Sequence, residues 1–297
     1  MRAGSGGLAV PLRSWTPFML RQRILTALAI IVPVFLLIVF APTWLFGLFV
    51  LAVIGLGAWE WAQLGGFRSS TARLGYVVSA MVLFGALLLV WLTVGWSSWH
   101  WAILVLAVLW WLFVFVGLAW YRQGLSARAS GRLLLQVAGM LTLVPAGLAL
   151  TWLHAIAPLL VLYLVLLVGA ADTGAYFAGR QFGRSKLAPE ISPGKTREGL
   201  FGALFLVIPV GLLGAWLFGL VAMDALVFGL LSIVVALVSV AGDLQESVLK
   251  REAGAKDSGT LLPGHGGVLD RIDSLTAAAP VFLFGLLWTA LLPGAGH

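Results

Sequence analysis

The sequence predicts an all-α, polytopic integral membrane protein of about nine transmembrane helices, and three observations carry that expectation. Of its 297 residues, 61% are hydrophobic and only 10% are charged, with a mean hydropathy of +1.06. The apolar residues come in runs of span length rather than in the short alternations of a soluble core. Lysine and arginine are confined to alternate connections between those runs, as the positive-inside rule requires of cytoplasmic loops.

The runs lie near 24–41, 44–64, 74–94, 99–120, 133–153, 157–179, 199–221, 225–242 and 274–293. Arg2, Arg13, Arg21 and Arg23 precede the first; Arg68 and Arg73 follow the second; Arg122, Arg128 and Arg132 follow the fourth. Arg180, Arg184, Lys186, Lys195 and Arg197 follow the sixth, and Lys250, Arg251, Lys256 and Arg271 follow the eighth, which places all 18 basic residues. The intervening connections and the tail at 294–297 carry none. Nine spans therefore put the N-terminus in the cytoplasm and the C-terminus outside; an even number would break the alternation. Trp44, Trp96, Trp99, Trp101 and Trp152 fall near the outer ends, where an aromatic belt is expected. Of the 11 acidic residues, only Asp224 falls in an outer connection. Residues 1–18 lack the apolar core of a cleavable signal peptide.

Several function classes drop out. The chain has no cysteine, which excludes disulfides, thiolate metal sites and cysteine nucleophiles. A net charge of +7 in a soluble protein would suggest nucleic acid, but here it reads as basic loops facing an anionic leaflet, with no nucleic-acid partner. A transporter places polar groups near the midplane between broken helices in paired halves, and these spans have apolar centres. An enzyme working at one membrane face is expected.

Its chemistry is concentrated. Residues 243–273 hold 10 of the 29 charged side chains. Ionised groups at the edge of a bilayer are costly and mark function more often than structure. Asp243, Glu246, Ser247 and Lys250 recur at i, i+3, i+4 and i+7, so they share one helical stripe. The segment 254–267 is glycine-rich, and Gly264, Gly266 and Gly267 around His265 allow backbone N–H groups to approach a phosphate. Asp270, Arg271 and Asp273 then open the last helix. Hard divalent cations such as Mg2+ take one or two carboxylates and complete their shell with phosphates and water. Acids interleaved with bases therefore suit phosphoryl or nucleotidyl transfer. A second polar block runs from Asp172 and Tyr176 to Lys195, Thr196, Arg197 and Glu198. Its Gly-Lys-Thr lacks the upstream glycine of a P-loop, although Lys195 and Thr196 remain able to touch phosphate. Glu60, beside Trp61 at the end of the second run, is left without a role.

The run Ser247-x-x-Lys250-Arg251, Lys256-Asp257 and His265-Gly266-Gly267-x-x-Asp270-Arg271-x-Asp273 resembles the signature of the phosphatidate cytidylyltransferase (CDP-diacylglycerol synthase) family. Asp172-Thr173-Gly174-Ala175-Tyr176 with Ser192-Pro193-Gly194-Lys195-Thr196 looks like that family's second motif, and Gly242-Asp243-Leu244-x-Glu246-Ser247 and Glu60-Trp61 fit as well. The resemblance implies that CTP and phosphatidic acid give CDP-diacylglycerol and pyrophosphate for phospholipid biosynthesis. It implies a Mg2+ requirement, a centre held by Asp243 and Asp270 that can include a monovalent ion such as K+, and a homodimer among membrane lipids. It also implies a multi-pass protein of the inner (cytoplasmic) membrane. Candidate catalytic residues are Asp243, Ser247, Lys250 and Asp270. Candidate substrate contacts are Asp172, Lys195, Thr196, Arg251, Lys256, His265, Gly266, Gly267, Arg271 and Asp273.

Two departures stand out. Arg197 occupies a position where the family usually has tryptophan. The family usually begins near a stretch like Met19-Leu20-Arg21-Gln22-Arg23, so residues 1–18 read as an extension or misassigned start before one membrane-embedded domain over 19–297. A CTP-dependent isoprenoid-lipid kinase and an ether-lipid cytidylyltransferase remain as alternatives, with a lipid or ion transporter behind them.

Overall fold

A computed structural model describes residue 29 and residues 31–95, 97–125, 128–261 and 266–291. The chain is an all-α polytopic membrane protein. Its helices are α1 (Ile31–Phe40), α2 (Thr43–Leu64), α3 (Ser70–Val94), α4 (Ser98–Ala119), α5 (Ala129–Ile156), α6 (Pro158–Phe182), α7 (Arg197–Leu217), α8 (Ala222–Glu252) and α9 (Leu269–Trp288). Among the described residues, eight of these are long and apolar enough to cross a membrane, and α1 is a shorter apolar helix. The predicted extension at 1–18, the stretch Met19–Arg23, Trp96 and His265 lie outside the described residues.

Helix starts follow local chemistry. The Ser69 hydroxyl accepts from the Ala72 N–H to cap α3, the Thr196 hydroxyl accepts from Gly199 N–H to cap α7, and Pro158 opens α6 where its missing N–H costs nothing. α5 runs through the middle, packing against α2, α3, α4, α6 and α9, and α6 and α7 form the most extensive pair. Small residues allow that closeness: Gly174 and Ala178 of α6 meet Gly202 and Ala203 of α7.

The structure extends two of these readings and corrects a third. The connection after α6 is not all loop: Lys186–Ala188 (β1) and Ser192–Thr196 (β2) form an antiparallel hairpin, pairing Lys186 with Thr196 and Ala188 with Ser192. The Glu198 carboxylate holds its base by accepting from the Arg184 and Ser185 N–H groups. Helix α8 continues past the apolar run to Glu252, carrying the polar stripe as helix. Trp152 does not stand in an interfacial belt. It is 1% exposed, with Trp91 and His100 against its ring, because the helix that carries it is central.

Candidate functional site

The C-terminal turns of α2, α6 and α8, the hairpin, and the first turns of α7 and α9 meet at one end of the bundle. Close helix packing sets the geometry there. A Cβ on Gly242 would strike the Asp273 carbonyl oxygen, so glycine lets α8 and α9 touch at that level. The next residue of α8, Asp243, then shares a neighbourhood with Asp273. The carboxylates of Asp172, Asp243 and Asp273 interact electrostatically, and Lys195 offsets them.

On the hairpin side, Lys195 Nζ lies 2.7 Å from Asp243 Oδ2, and Ser247 Oγ lies 3.4 Å from Asp243 Oδ1. Asp172, Tyr176, Lys195, Thr196 and Asp243 line a cavity of 450 Å³ between α6, α7, α8 and the hairpin. The Thr196 hydroxyl, expected at phosphate, serves as the α7 cap. A neighbouring groove of 220 Å³ has a wholly apolar lining, including Phe115, Leu118, Leu237 and Leu244. The two share Leu187, Leu200 and Val240 as walls.

On the loop side the polar groups are enclosed. Lys250 Nζ sits 2.6 Å from Glu246 Oε2 and 2.7 Å from Asp270 Oδ1. Asp270 Oδ2 accepts from the Gly267 N–H at 2.8 Å and the Ser258 N–H at 3.0 Å, with the Ser258 hydroxyl at 2.9 Å. Gly266 has φ +79°, a backbone state that favours glycine. The Gly267 N–H, expected to face phosphate, is thus bonded within the protein. Arg251 Nε donates to the Ile191 carbonyl, tying α8 to the hairpin turn. Lys256, Arg271 and Arg197 are exposed. Outside the spans, burial and the nearby Glu252 carboxylate, to which its hydroxyl donates at 2.6 Å, push the Tyr121 phenol above its ordinary pKa.

The sequence reading missed Glu246 as the partner of Lys250, left Glu60 open, and did not single out Ser258. The i,i+4 spacing of Glu246 and Lys250 was a usable signal; Ser258 offered none beyond its place in a polar loop.

Among the described residues, no three or more acidic or histidine side chains have the spacing to chelate a metal on their own. The donors still fit a cation completed by substrate phosphates. On the hairpin side Lys195 pairs with Asp243 and offsets the charge of the neighbouring Asp172 and Asp273, and Asp270 Oδ1 accepts from Lys250 alone among the described residues.

Sequence comparison points the same way. The family described as "Cytidylyltransferase family" matches residues 21–288. A phosphatidate cytidylyltransferase of Pseudomonas aeruginosa is 44% identical over 278 residues, covering 92% of this chain and 98% of that protein. One from Haemophilus influenzae is 37% identical over 292 residues, covering 90% and 98%. A third, from Synechocystis, is 46% identical over 127 residues, 42% of each chain.

Proposed function

The chain belongs to the cytidylyltransferase family, and from that premise we propose that it transfers a cytidylyl group from CTP to phosphatidic acid, giving CDP-diacylglycerol and pyrophosphate. The observation that carries this reading is the pairing of a charged cavity with a wholly apolar groove across shared walls. A substrate that is anionic at one end and acyl at the other needs both. The headgroup would lie with Lys195, and an acyl chain along Leu237, Leu244 and Phe115.

A phosphatidate oxygen attacks the α-phosphorus of CTP, and the bond to the β,γ-diphosphate breaks. A phosphate monoester has a second pKa of about 6, so at neutral pH the nucleophile is already largely ionised and needs no strong general base. The protein's task is to bring two anions together. Lys195 neutralises phosphate charge in the cavity, leaving Asp243 as it does so. Lys250 keeps Asp270 oriented across the α8–α9 contact. Lys256, Arg251, Arg271, His265 and Gly266 supply further phosphate contacts, and Ser247 steadies Asp243. Mg2+, held by Asp243 and Asp270 with Asp273 and Asp172 beside them, would supply charge neutralisation at the transferring phosphoryl group. A monovalent ion such as K+ would share the same acidic set.

The reading places the site on the cytoplasmic face of the inner membrane, with the protein a homodimer. Accessibility labelling of single cysteines introduced at the exposed positions 68 and 224 tests the first; position 68 should label from the cytoplasm and position 224 from the outside. Mass measurement in detergent tests the second, and a mass of one chain would refute it. The activity itself is tested by pyrophosphate release from purified protein with phosphatidic acid, Mg2+ and each of the four nucleoside triphosphates. Release confined to CTP and dependent on phosphatidate is expected. Release without lipid, or none from folded protein, would defeat the proposal.

A further inference from the structure

Glu60 is the one charged residue in the 22 residues of α2, and it is 3% exposed. Enclosing a carboxylate among apolar helices is costly unless donors saturate its oxygens. Here they do. Oε1 accepts from the Val268 N–H at 2.9 Å, Oε2 accepts from the Leu269 N–H at 2.8 Å, and the Ser258 hydroxyl lies 2.9 Å from Oε2.

These donors have a common origin. Helix α9 begins at Leu269 without a side-chain cap from its own N-cap residue. The first N–H groups of a helix lack intrahelical acceptors and favour an anion. Glu60 provides that anion from 208 residues away. The Ser258 hydroxyl is also 2.9 Å from Asp270 Oδ2; with a single proton to donate, it bridges the two carboxylates. The loop's composition matches this arrangement. A Cβ on Gly259 or on Gly267 would collide with the Glu60 carboxylate.

We infer that Glu60 is a positioning residue: through the Ser258 hydroxyl and the opening N–H groups of α9 it holds Ser258 against the start of α9 and sets Asp270 against Lys250. The inference rests on the cytidylyl-transfer reading above, because it assigns Glu60 to the geometry of that site. It also explains why an acid stands there. A glutamine would turn one of its two acceptor positions into an NH2 group facing a backbone N–H.

The test is steady-state kinetics of purified Glu60→Gln, Glu60→Asp and Ser258→Ala, normalised to folded protein by size-exclusion profile and thermal unfolding. For Glu60→Gln, kcat should fall roughly 10–100-fold, the usual loss when a group orienting an active residue is removed. KM for both substrates should change less, and Glu60→Asp should recover part of the loss. Ser258→Ala keeps both backbone caps, so it should fold as wild type and still lose kcat. If Glu60→Gln yields no folded protein, Ser258→Ala decides alone. Wild-type kcat in folded Glu60→Gln or in Ser258→Ala would overturn the inference and leave Glu60 as a cap for stability. Wild-type protein runs alongside: no turnover there would overturn the cytidylyl-transfer reading as well, whereas active wild type with wild-type-like variants would overturn only the positioning role.

Discussion

The two halves of the site are made of the same kinds of side chain, held in opposite ways. On the hairpin side, Lys195 and Asp243 are 23% and 32% exposed, 2.7 Å apart, and border an open cavity. On the loop side, Lys250, Glu246 and Asp270 are 15%, 3% and 12% exposed, and a web of backbone N–H groups, Ser258 and Glu60 surrounds them. A partly exposed ion pair is worth about 0–1 kcal/mol and exchanges partners readily. Removing one member of an enclosed set leaves charge without compensation and costs about 3–5 kcal/mol. The comparison teaches that ion pairs in one site can do different work. The open pair can yield to nucleotide and cation, while the enclosed set keeps α8, α9 and the loop in register.

The largest effect that would break this contrast is on stability. Lys250→Met should destabilise the protein by about 3–5 kcal/mol, seen as an earlier unfolding midpoint in detergent. A variant as stable as wild type would mean that the enclosed set is not a structural unit. Lys195→Met sharpens the contrast from the other side. Turnover should fall about 10²–10³-fold, as when a charge-stabilising donor is removed, while stability moves by no more than about 1 kcal/mol. Parallel losses of activity and stability would count against the open-pair account. Next, Leu237→Trp should obstruct the apolar groove and lower kcat/KM for long-chain phosphatidate by roughly tenfold, in the range a hydrophobic pocket can discriminate. The KM for CTP should stay put; an equal loss with short-chain phosphatidate would remove the acyl chain from that groove. Smallest is Ser247→Ala. Its 3.4 Å contact with Asp243 is weak, and transition-state stabilisation should change by about 1 kcal/mol or less in kcat/KM.

Much of this was legible in the sequence, for reasons that differ by residue. The spans could be read because apolar length and basic-loop alternation are local signals. So could the α8 stripe, since Asp243, Glu246, Ser247 and Lys250 follow helical spacing and the helix does continue through them. What the stripe faces was not legible. Asp270 is 20 residues beyond Lys250, and Lys195 belongs to a different connection from Asp243, so neither ion pair follows from spacing. The hairpin escaped notice because its Gly, Pro and Ser content reads as loop. Glu198, which secures it, acts on N–H groups 13 and 14 residues earlier. Trp152 shows a further limit: its place near a helix end suggested an interface, and the centrality of α5 put it inside. Glu60 could be located but not interpreted, because its partners lie about 200 residues away.

The most direct test of the two-halves account is an experimental structure of the protein with CTP and Mg2+ but no phosphatidate. The account predicts nucleotide in the 450 Å³ cavity, Lys195 Nζ moved from Asp243 to a phosphate oxygen, and Lys250 still bonded to Asp270. Nucleotide elsewhere, or an intact Lys195–Asp243 pair with Lys250 drawn away from Asp270, would contradict it.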